Sequence, residues 1–565
     1  MMKKTILIFS LIIFLGVAFS VEADSVSERR NFYIDPSYDL NTRDELEAVL
    51  IKVTPQLYFY VDQSWWSFAP QNKVYEYLTE LENEFENNIY SKLISVFGSE
   101  RNPGIDKEER ITILIHPMAN SAGGYFRSND EYLKVQVPDS NQREMLYLNS
   151  DHITSHLAKS FLAHEFVHLI TFNQKENNYG LIEETWLNEA RAEYAITFLG
   201  YDDSTDSNLE RRMKAFAEDS SDSIINWSGS SKDYASLNLF TQYLVDHYGI
   251  EILSDSLKSG KVGINSLNYA LEINGFEEQL SDIFFDWTIA ILINDCNYGN
   301  RYCYLNPLLK NFHVSSKINF LPLSGESSLS YTDFARKWEG NWYKIIGGND
   351  DLKVAFSCRS GVNFKLPYIT QNSVGSYKVS FLDLSKDCKG DFIVNGFGQD
   401  IKALYLIPSA ADSQGTDEAF YPFSWTVSII KNQDDTDLIQ KLLAQIAYLR
   451  AEIVKVQTRI ANILASRQGR IPPVPVSGSC SQITVNLSFG MTSQQVNCLQ
   501  QFLKLQGSDI YPEGLVTSYF GSLTRSAVIR FQEKYSSEIL FPLGLTSGTG
   551  YVGLLTRGKI NELMK

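Results

Sequence analysis

Residues 161–172, FLAHEFVHLITF, set two histidines and a glutamate inside a run that is otherwise almost wholly apolar. The spacing predicts a helix with hydrophobic residues around most of its circumference, and such a helix is buried. Burying two imidazoles and a carboxylate without compensation is costly. His164 and His168 are four residues apart, so their side chains leave the helix on one side, one turn from each other. Glu165 faces the same side. Two imidazoles so placed can share one divalent ion, and the ion removes the burial cost. The competing reading is a pair of core histidines satisfied by hydrogen bonds. The chain holds only 7 histidines, and His116, His152, His156 and His313 sit in no partner pattern.

A catalytic zinc site needs a third protein ligand and one open position. Downstream runs EETWLNEARAEYAITFLG (residues 183–200). Its helical spacing places Glu189 and Glu193 one turn apart on one face, with Asn188 positioned to cap or orient. Glu189 lies 21 residues beyond His168, enough for a helix end, a loop and a returning helix.

HEFVH followed by WLNEARAEYA resembles the gluzincin metallopeptidases, in which HExxH is joined by a glutamate in an NEx segment on the next active-site helix. The WLNE wording is most similar to the aminopeptidase-like and hyicolysin-like branches. The resemblance covers about residues 111–295. It implies a zincin-like catalytic domain holding Zn²⁺ through His164, His168 and Glu189. Glu165 would be the general base toward a metal-activated water, and Glu193 the acid that hydrogen-bonds a ligand histidine. The family places a Tyr or His on a later helix to stabilise the oxyanion. Tyr234, in SSKDYASLNLFTQYL, is the candidate, against a plain packing role; His247 is a weaker one. GGYF (residues 123–126) reads as an edge strand, which in related peptidases pairs with the substrate backbone. With no signature for gripping a free substrate amine, the expectation is an endopeptidase acting on protein or peptide substrates.

The opening MMKKTILIFSLIIFLGVAFSVEA has a charged start, an apolar core and small residues near its end. It reads as an export signal over residues 1–23, with an uncleaved anchor helix as the alternative. Export agrees with six cysteines in sequence-local pairs, Cys296 with Cys303, Cys358 with Cys388 and Cys480 with Cys498. Six cysteines allow 15 connectivities, so proximity alone suggests these three. A formal net charge of −17 without a basic stripe excludes nucleic acid as a partner.

The period of the apolar positions changes along the chain, so the expected fold is multidomain α+β. Residues 24–313 mix strands (LEAVLIKV, QLYFYVDQ, ITILIHPM) with helices and would form the peptidase domain. Within them, residues 72–96 have helical spacing, with Tyr75, Tyr77, Leu78, Leu81, Phe85 and Ile89 on one side. Residues 314–432 hold short aromatic and β-branched runs split by Gly, Asn, Asp and Ser, as in a β-sandwich. Over residues 435–467, Ile439, Leu442, Ile446, Leu449, Ile453, Val456, Ile460 and Ile463 form a heptad, a coiled coil through which the chain can self-associate. A lone amphipathic helix docked on its own protein is the alternative. Residues 468–478 (with RIPPVPVSG) are a stiff linker.

Residues 479–565 contain an internal echo, YFGSLTRSAV and YVGLLTRGKI. GMTSQQVNCLQQFL, YFGSLTRSAVIRFQ and GYVGLLTR resemble the small three-helix peptidoglycan-binding domain of bacterial wall hydrolases. That resemblance implies a protein that is secreted or associated with the cell envelope and bound to peptidoglycan. A generic interaction domain is the alternative. Three functions are compatible with the whole: a wall-tethered endopeptidase, a peptidase of peptidoglycan cross-links, and a non-enzymatic wall-binding adhesin or scaffold.

Overall fold

A computed structural model describes residues 23–119, 122–203, 205–412, 419–430 and 480–565, with helical positions at 445, 446, 448, 449, 452, 453, 455 and 456. The chain divides into two compact units, residues 1–449 and 450–565. The expected export segment, coiled coil and linker lie outside the described residues, apart from Ala23 and those eight positions. Among the described residues, no helix is long and apolar enough to cross a membrane. The protein is a multidomain α+β chain with several sheets and a C-terminal helical domain.

The first unit opens on a mixed sheet of β1 (Arg29–Tyr33), β2 (Glu45–Val53), β3 (Leu57–Asp62), β4 (Ile111–His116), β5 (Gly124–Phe126) and β6 (Met145–Asn149). Their order is β1-β2-β3-β4-β6-β5. β3, β4 and β6 run parallel and are buried along their whole length, as their near-continuous apolar sequences require. β5 is a three-residue edge, antiparallel to β6.

Three helices follow β3: α1 (Gln63–Trp66), α2 (Gln71–Glu84) and α3 (Tyr90–Phe97), the last two joined by a π turn at Phe85–Ile89. The buried face is Val74, Leu78, Leu81, Phe85 and Ile89. Tyr75, assigned to that face from the spacing, is instead exposed: one residue of rotation away, Val74 takes the position in phase with Leu78. After β6 come α4 (Ala158–Thr171), α5 (Thr185–Phe198), α6 (Asn208–Glu218), α7 (Ser231–Tyr248), α8 (Glu251–Leu257), α9 (Gly263–Ile273) and α10 (Leu280–Ile293). α4 buries Leu162, Phe166, Val167 and Ile170 in the main core.

Ten strands then form two facing sheets: β7 (Lys317–Leu321), β8 (Ser328–Ala335), β9 (Tyr343–Gly347), β10 (Asp351–Cys358), β11 (Phe364–Asn372), β12 (Tyr377–Leu382), β13 (Lys389–Val394), β14 (Ile401–Leu406), β15 (Ser409–Ala410) and β16 (Tyr421–Ile430). One sheet runs β13-β10-β16-β8 and the other β12-β11-β14-β9-β7, with β15 beside β11. Leu352, Val354, Trp425 and Val427 from the first meet Ile345, Leu366, Leu404 and Leu406 from the second in one core. Trp338 and Trp342 turn the other way, into the helical core, where Trp342 Nε1 donates to the Thr288 carbonyl at 2.8 Å. The sheets are therefore packed onto the helices through buried tryptophans. All three disulfides join sequence neighbours: Cys296–Cys303, Cys358–Cys388 and Cys480–Cys498.

The second unit contains α11 (Gln494–Leu505), α12 (Ser522–Lys534), α13 (Ser536–Ile539) and α14 (Leu554–Leu563) around a core that includes Leu499, Phe502, Phe531 and Ile560. The internal echo is structural. Buried Gln500 donates through Nε2 to Thr517 Oγ1, the Tyr519 carbonyl and Thr524 Oγ1, and accepts from the amides of Thr517 and Ser518. Gln532, 32 residues on, does the same with Thr549, Tyr551, Thr556 and Gly550. Each glutamine stands in for water, satisfying the polar groups of a turn. Gln532→Ala should therefore cost about 2–4 kcal/mol, because it leaves several buried groups unpaired. Hydrogen exchange at the Thr549 and Gly550 amides should accelerate accordingly; unchanged protection there would contradict this account.

Candidate metal centre

α4 and α5 pack on each other and bring their polar faces together. His164 Nε2 stands 3.2 Å from Glu189 Oε2, and His168 Nε2 stands 3.6 Å from Glu189 Oε1. One ligand atom from each of His164, His168 and Glu189 lies within 4.8 Å of the others, and among the described residues this is the one such group of three. The imidazole rings are 4.8 Å apart and nearly perpendicular. Two nitrogens and a carboxylate oxygen at these separations are a donor set that Zn²⁺ accepts. Glu189 Oε2 is buried beside His164 Nε2. The residues fit the group that the sequence implies.

Electrostatics tie the cluster together. Burial would lower the His164 pKa, but its hydrogen bond to Glu189 and the charges of Glu165, Glu189 and Glu193 outweigh that and raise it to about 9. Burial pushes Glu165 upward, against the pull of His164 and His168. Glu189 moves the other way: both imidazoles more than offset its burial.

Glu193, one turn beyond Glu189, approaches His164 Nδ1 at 3.7 Å. It is held by four donors: Arg212 Nε and Nη2 at 2.8 and 2.7 Å, Asn208 Nδ2 at 2.8 Å and Asn238 Nδ2 at 3.1 Å. These hold its carboxyl at about 2 despite burial. At the start of α5, Glu183 accepts from Arg191 Nη1 and from the Gly263 amide, both at 2.8 Å, which anchors the turn leading to Glu189.

Tyr234 on α7 lies in the same environment. The Arg212 guanidinium sits 4.4 Å above its ring, and Trp227 meets it edge-on at 4.7 Å. Burial, then the charges of Glu189, Glu193 and Glu165, hold its hydroxyl protonated. β5 passes close on the other side. A Cβ on Gly124 would lie 2.5 Å from the Tyr147 carbonyl and 3.1 Å from Glu165 Cγ, so only glycine lets the edge strand come so near.

The remaining sequence candidates sit elsewhere. His247 Nε2 lies 2.9 Å from the Cys303 carbonyl near the end of α7, a structural contact. His116 is buried between Asp39 and Tyr125. Asn188 Oδ1 is buried without a hydrogen-bond partner among the described residues. The sequence reading missed Arg212, Asn208 and Asn238. It also missed Tyr38, half-exposed and stacked on Tyr125 at 4.5 Å, whose hydroxyl is held protonated by burial and then by the charges of Glu165 and Glu189. Asn238 was within reach, since it follows Tyr234 by four residues on one helix face.

Comparison with known proteins bears on the other end of the chain. Residues 492–538 match the model of a family described as a peptidoglycan binding domain. That match supports a C-terminal peptidoglycan-binding domain and cell-wall association. No curated protein matches the chain. Among solved structures, the M60 catalytic domain with two CBM51 domains of Clostridium perfringens ZmpB aligns at 8% identity, covering 68% of this chain and 60% of that one, with a TM-score of 0.23. The pre-peptidase C-terminal domain of a collagenase from Bacillus anthracis aligns at 9% identity, covering 20% of this chain and 96% of that one, with a TM-score of 0.14. PliG, a periplasmic lysozyme inhibitor from Aeromonas hydrophila, aligns at 14% identity over 20% of this chain and 100% of its own, again with a TM-score of 0.14. At these scores none of the three carries weight for fold or function.

Proposed function

We propose that the chain is an exported, zinc-dependent endopeptidase with a zincin-like catalytic domain, held at the cell wall by its C-terminal unit. The observation that supports it is the approach of His164 Nε2 and His168 Nε2 to one carboxylate, Glu189, from a neighbouring helix, with Glu165 on the histidine-bearing helix. A bound Zn²⁺ would acidify a water and polarise the scissile carbonyl. Glu165 takes up the proton released and returns it to the leaving amine; burial favours that protonated form. Glu193 fixes the orientation of His164, and Arg212 fixes Glu193. Tyr234 donates to the developing oxyanion. β5 offers its free edge to an extended peptide, and Gly124 allows that peptide close to Glu165.

A second reading, cleavage of peptidoglycan cross-link peptides, draws on the wall-binding match. Metal analysis of the purified protein tests the common ground: about one zinc per chain is expected, falling several-fold in Glu189→Ala. Casein and purified sacculi then separate the two readings. Sub-stoichiometric zinc together with inertness toward both substrates would leave a non-enzymatic wall-binding protein.

A further inference from the structure

Arg212 is committed to Glu193, but its neighbour Arg211 on α6 has no such partner. Among the described residues, no carboxylate forms an ion pair with Arg211. Its side-chain hydrogen bond there runs from Nη2 to the neutral Asn208 Oδ1, at 3.3 Å. Its Nε is buried with no hydrogen-bond partner among the described residues. Burial, then the like charge of Arg212, push its pKa below the usual guanidinium range, against the weaker pull of Glu193 and Asp206. A half-buried guanidinium in that state is stabilised by an anion that reaches it.

Its position says which anion. The guanidinium carbon lies 6.0 Å from the centre of the Phe161 ring. Phe161 is on α4, three residues before His164 and four before Glu165, so the three share one helix face. The step along the axis from Phe161 to Glu165 is about 6 Å. The ring is partly buried, with the His152 ring at 5.3 Å and Gly123 so close that a Cβ there would fall 2.2 Å from Phe161 Cδ1. Gly123 leads directly into β5, whose Gly124 lies against the Glu165 side chain. Arg211, Phe161 and the start of the edge strand therefore gather about one helix turn from Glu165. An extended peptide advances about 3.3 Å per residue. Lying along β5 with its scissile bond at Glu165, it brings a group about two or three residues away to Arg211.

We propose that Arg211, seated on Phe161, is the specificity residue of this site and takes a carboxylate of the bound peptide about two or three residues from the scissile bond. The carboxylate is an aspartate or glutamate side chain or the peptide's own C-terminus, since both offer the paired oxygens that a guanidinium fits. The assignment rests on the peptidase reading for its purpose, and its test is chosen to separate the two.

The full-length protein, supplied with zinc, is given N-acetylated fluorogenic peptides of one neutral, glutamine-rich sequence. One form ends in an amide. A second ends in an amide and carries glutamate for glutamine at each position in turn. A third ends in a free carboxylate. A carboxylate form is expected to exceed the neutral amide about tenfold or more in kcat/KM, and which form does so identifies the source. Arg211→Gln is expected to erase that preference with zinc content unchanged, because the group of three ligand atoms does not include Arg211. Arg211→Lys is expected to keep part of it. Rates that ignore the carboxylate, or a preference that survives Arg211→Gln, overturn the assignment while leaving the peptidase reading in place. If nothing is cut, the same peptides are titrated against the metal-free protein. A carboxylate preference in binding that Arg211→Gln removes supports Arg211 and sinks the peptidase. Equal binding of all forms, or none, overturns the assignment.

Discussion

Glu165→Gln is expected to lower the turnover of a protein substrate by about 10²–10⁴-fold, the range that a positioned acid–base group contributes. Zinc content should stay at the wild-type level, because the group of three ligand atoms does not include Glu165. The amide keeps the shape of the carboxylate, so the close packing of Gly124 against the Glu165 side chain is preserved. What is lost is the capacity to take a proton. Stability should hold or rise slightly, since burial already disfavours the ionised form of Glu165. The contrast with Glu189→Ala is diagnostic: that variant is expected to lose metal and activity together. Steady-state kinetics beside metal analysis decide the matter. A variant with full zinc and turnover within a few-fold of wild type would remove Glu165 from the chemistry.

The features that were legible in the sequence are those set by local spacing. HEFVH and NEARAE each fix a helix face over a single turn, and two consecutive helices joined by a short loop need little else to meet. What surrounds Glu193 was not legible. Arg211 and Arg212 are neighbours on an amphipathic helix, and nothing in NLERRMKAFAE says which one turns inward. Arg212 reaches Glu193, whereas Arg211 lies over the Phe161 ring at 6.0 Å. Tyr38 comes from a turn more than a hundred residues upstream of α4, beyond any periodicity. The docking of the sheets through Trp338 and Trp342 was not legible either, since a domain-by-domain reading assigns both residues to the sandwich alone. In the second unit the YFGSLTR and YVGLLTR echo was visible, but the glutamines that organise it were not. They sit outside the repeated words, and their partners are mostly backbone groups and threonines.

Arg212→Met should be the most destabilising single change near the site, by about 3–5 kcal/mol at neutral pH, because it leaves the Glu193 carboxylate buried without its cation. Asn208 and Asn238 remain as donors but carry no charge. Arg212→Lys should recover only part of the loss, since an ammonium cannot reproduce the two parallel bonds from Nε and Nη2. The pH dependence follows in sign. The carboxyl of Glu193 is depressed from 4.5 to about 2, so the stability it contributes is present above its ordinary range and lost as pH falls toward 2. Removing Arg212 raises that pKa, and the penalty is then relieved as acid neutralises the stranded carboxylate. The gap between wild type and Arg212→Met in chemical denaturation should therefore be widest near neutrality and should narrow as pH drops below about 4.5. The same substitution loosens Glu193, which stands 3.7 Å from His164 Nδ1, and removes the guanidinium above Tyr234. Zinc affinity should fall by about 10–100-fold, the cost typical of losing a group that orients a ligand histidine. A difference below about 1 kcal/mol at neutral pH, or a gap that widens in acid, would mean that Glu193 is not held ionised by Arg212.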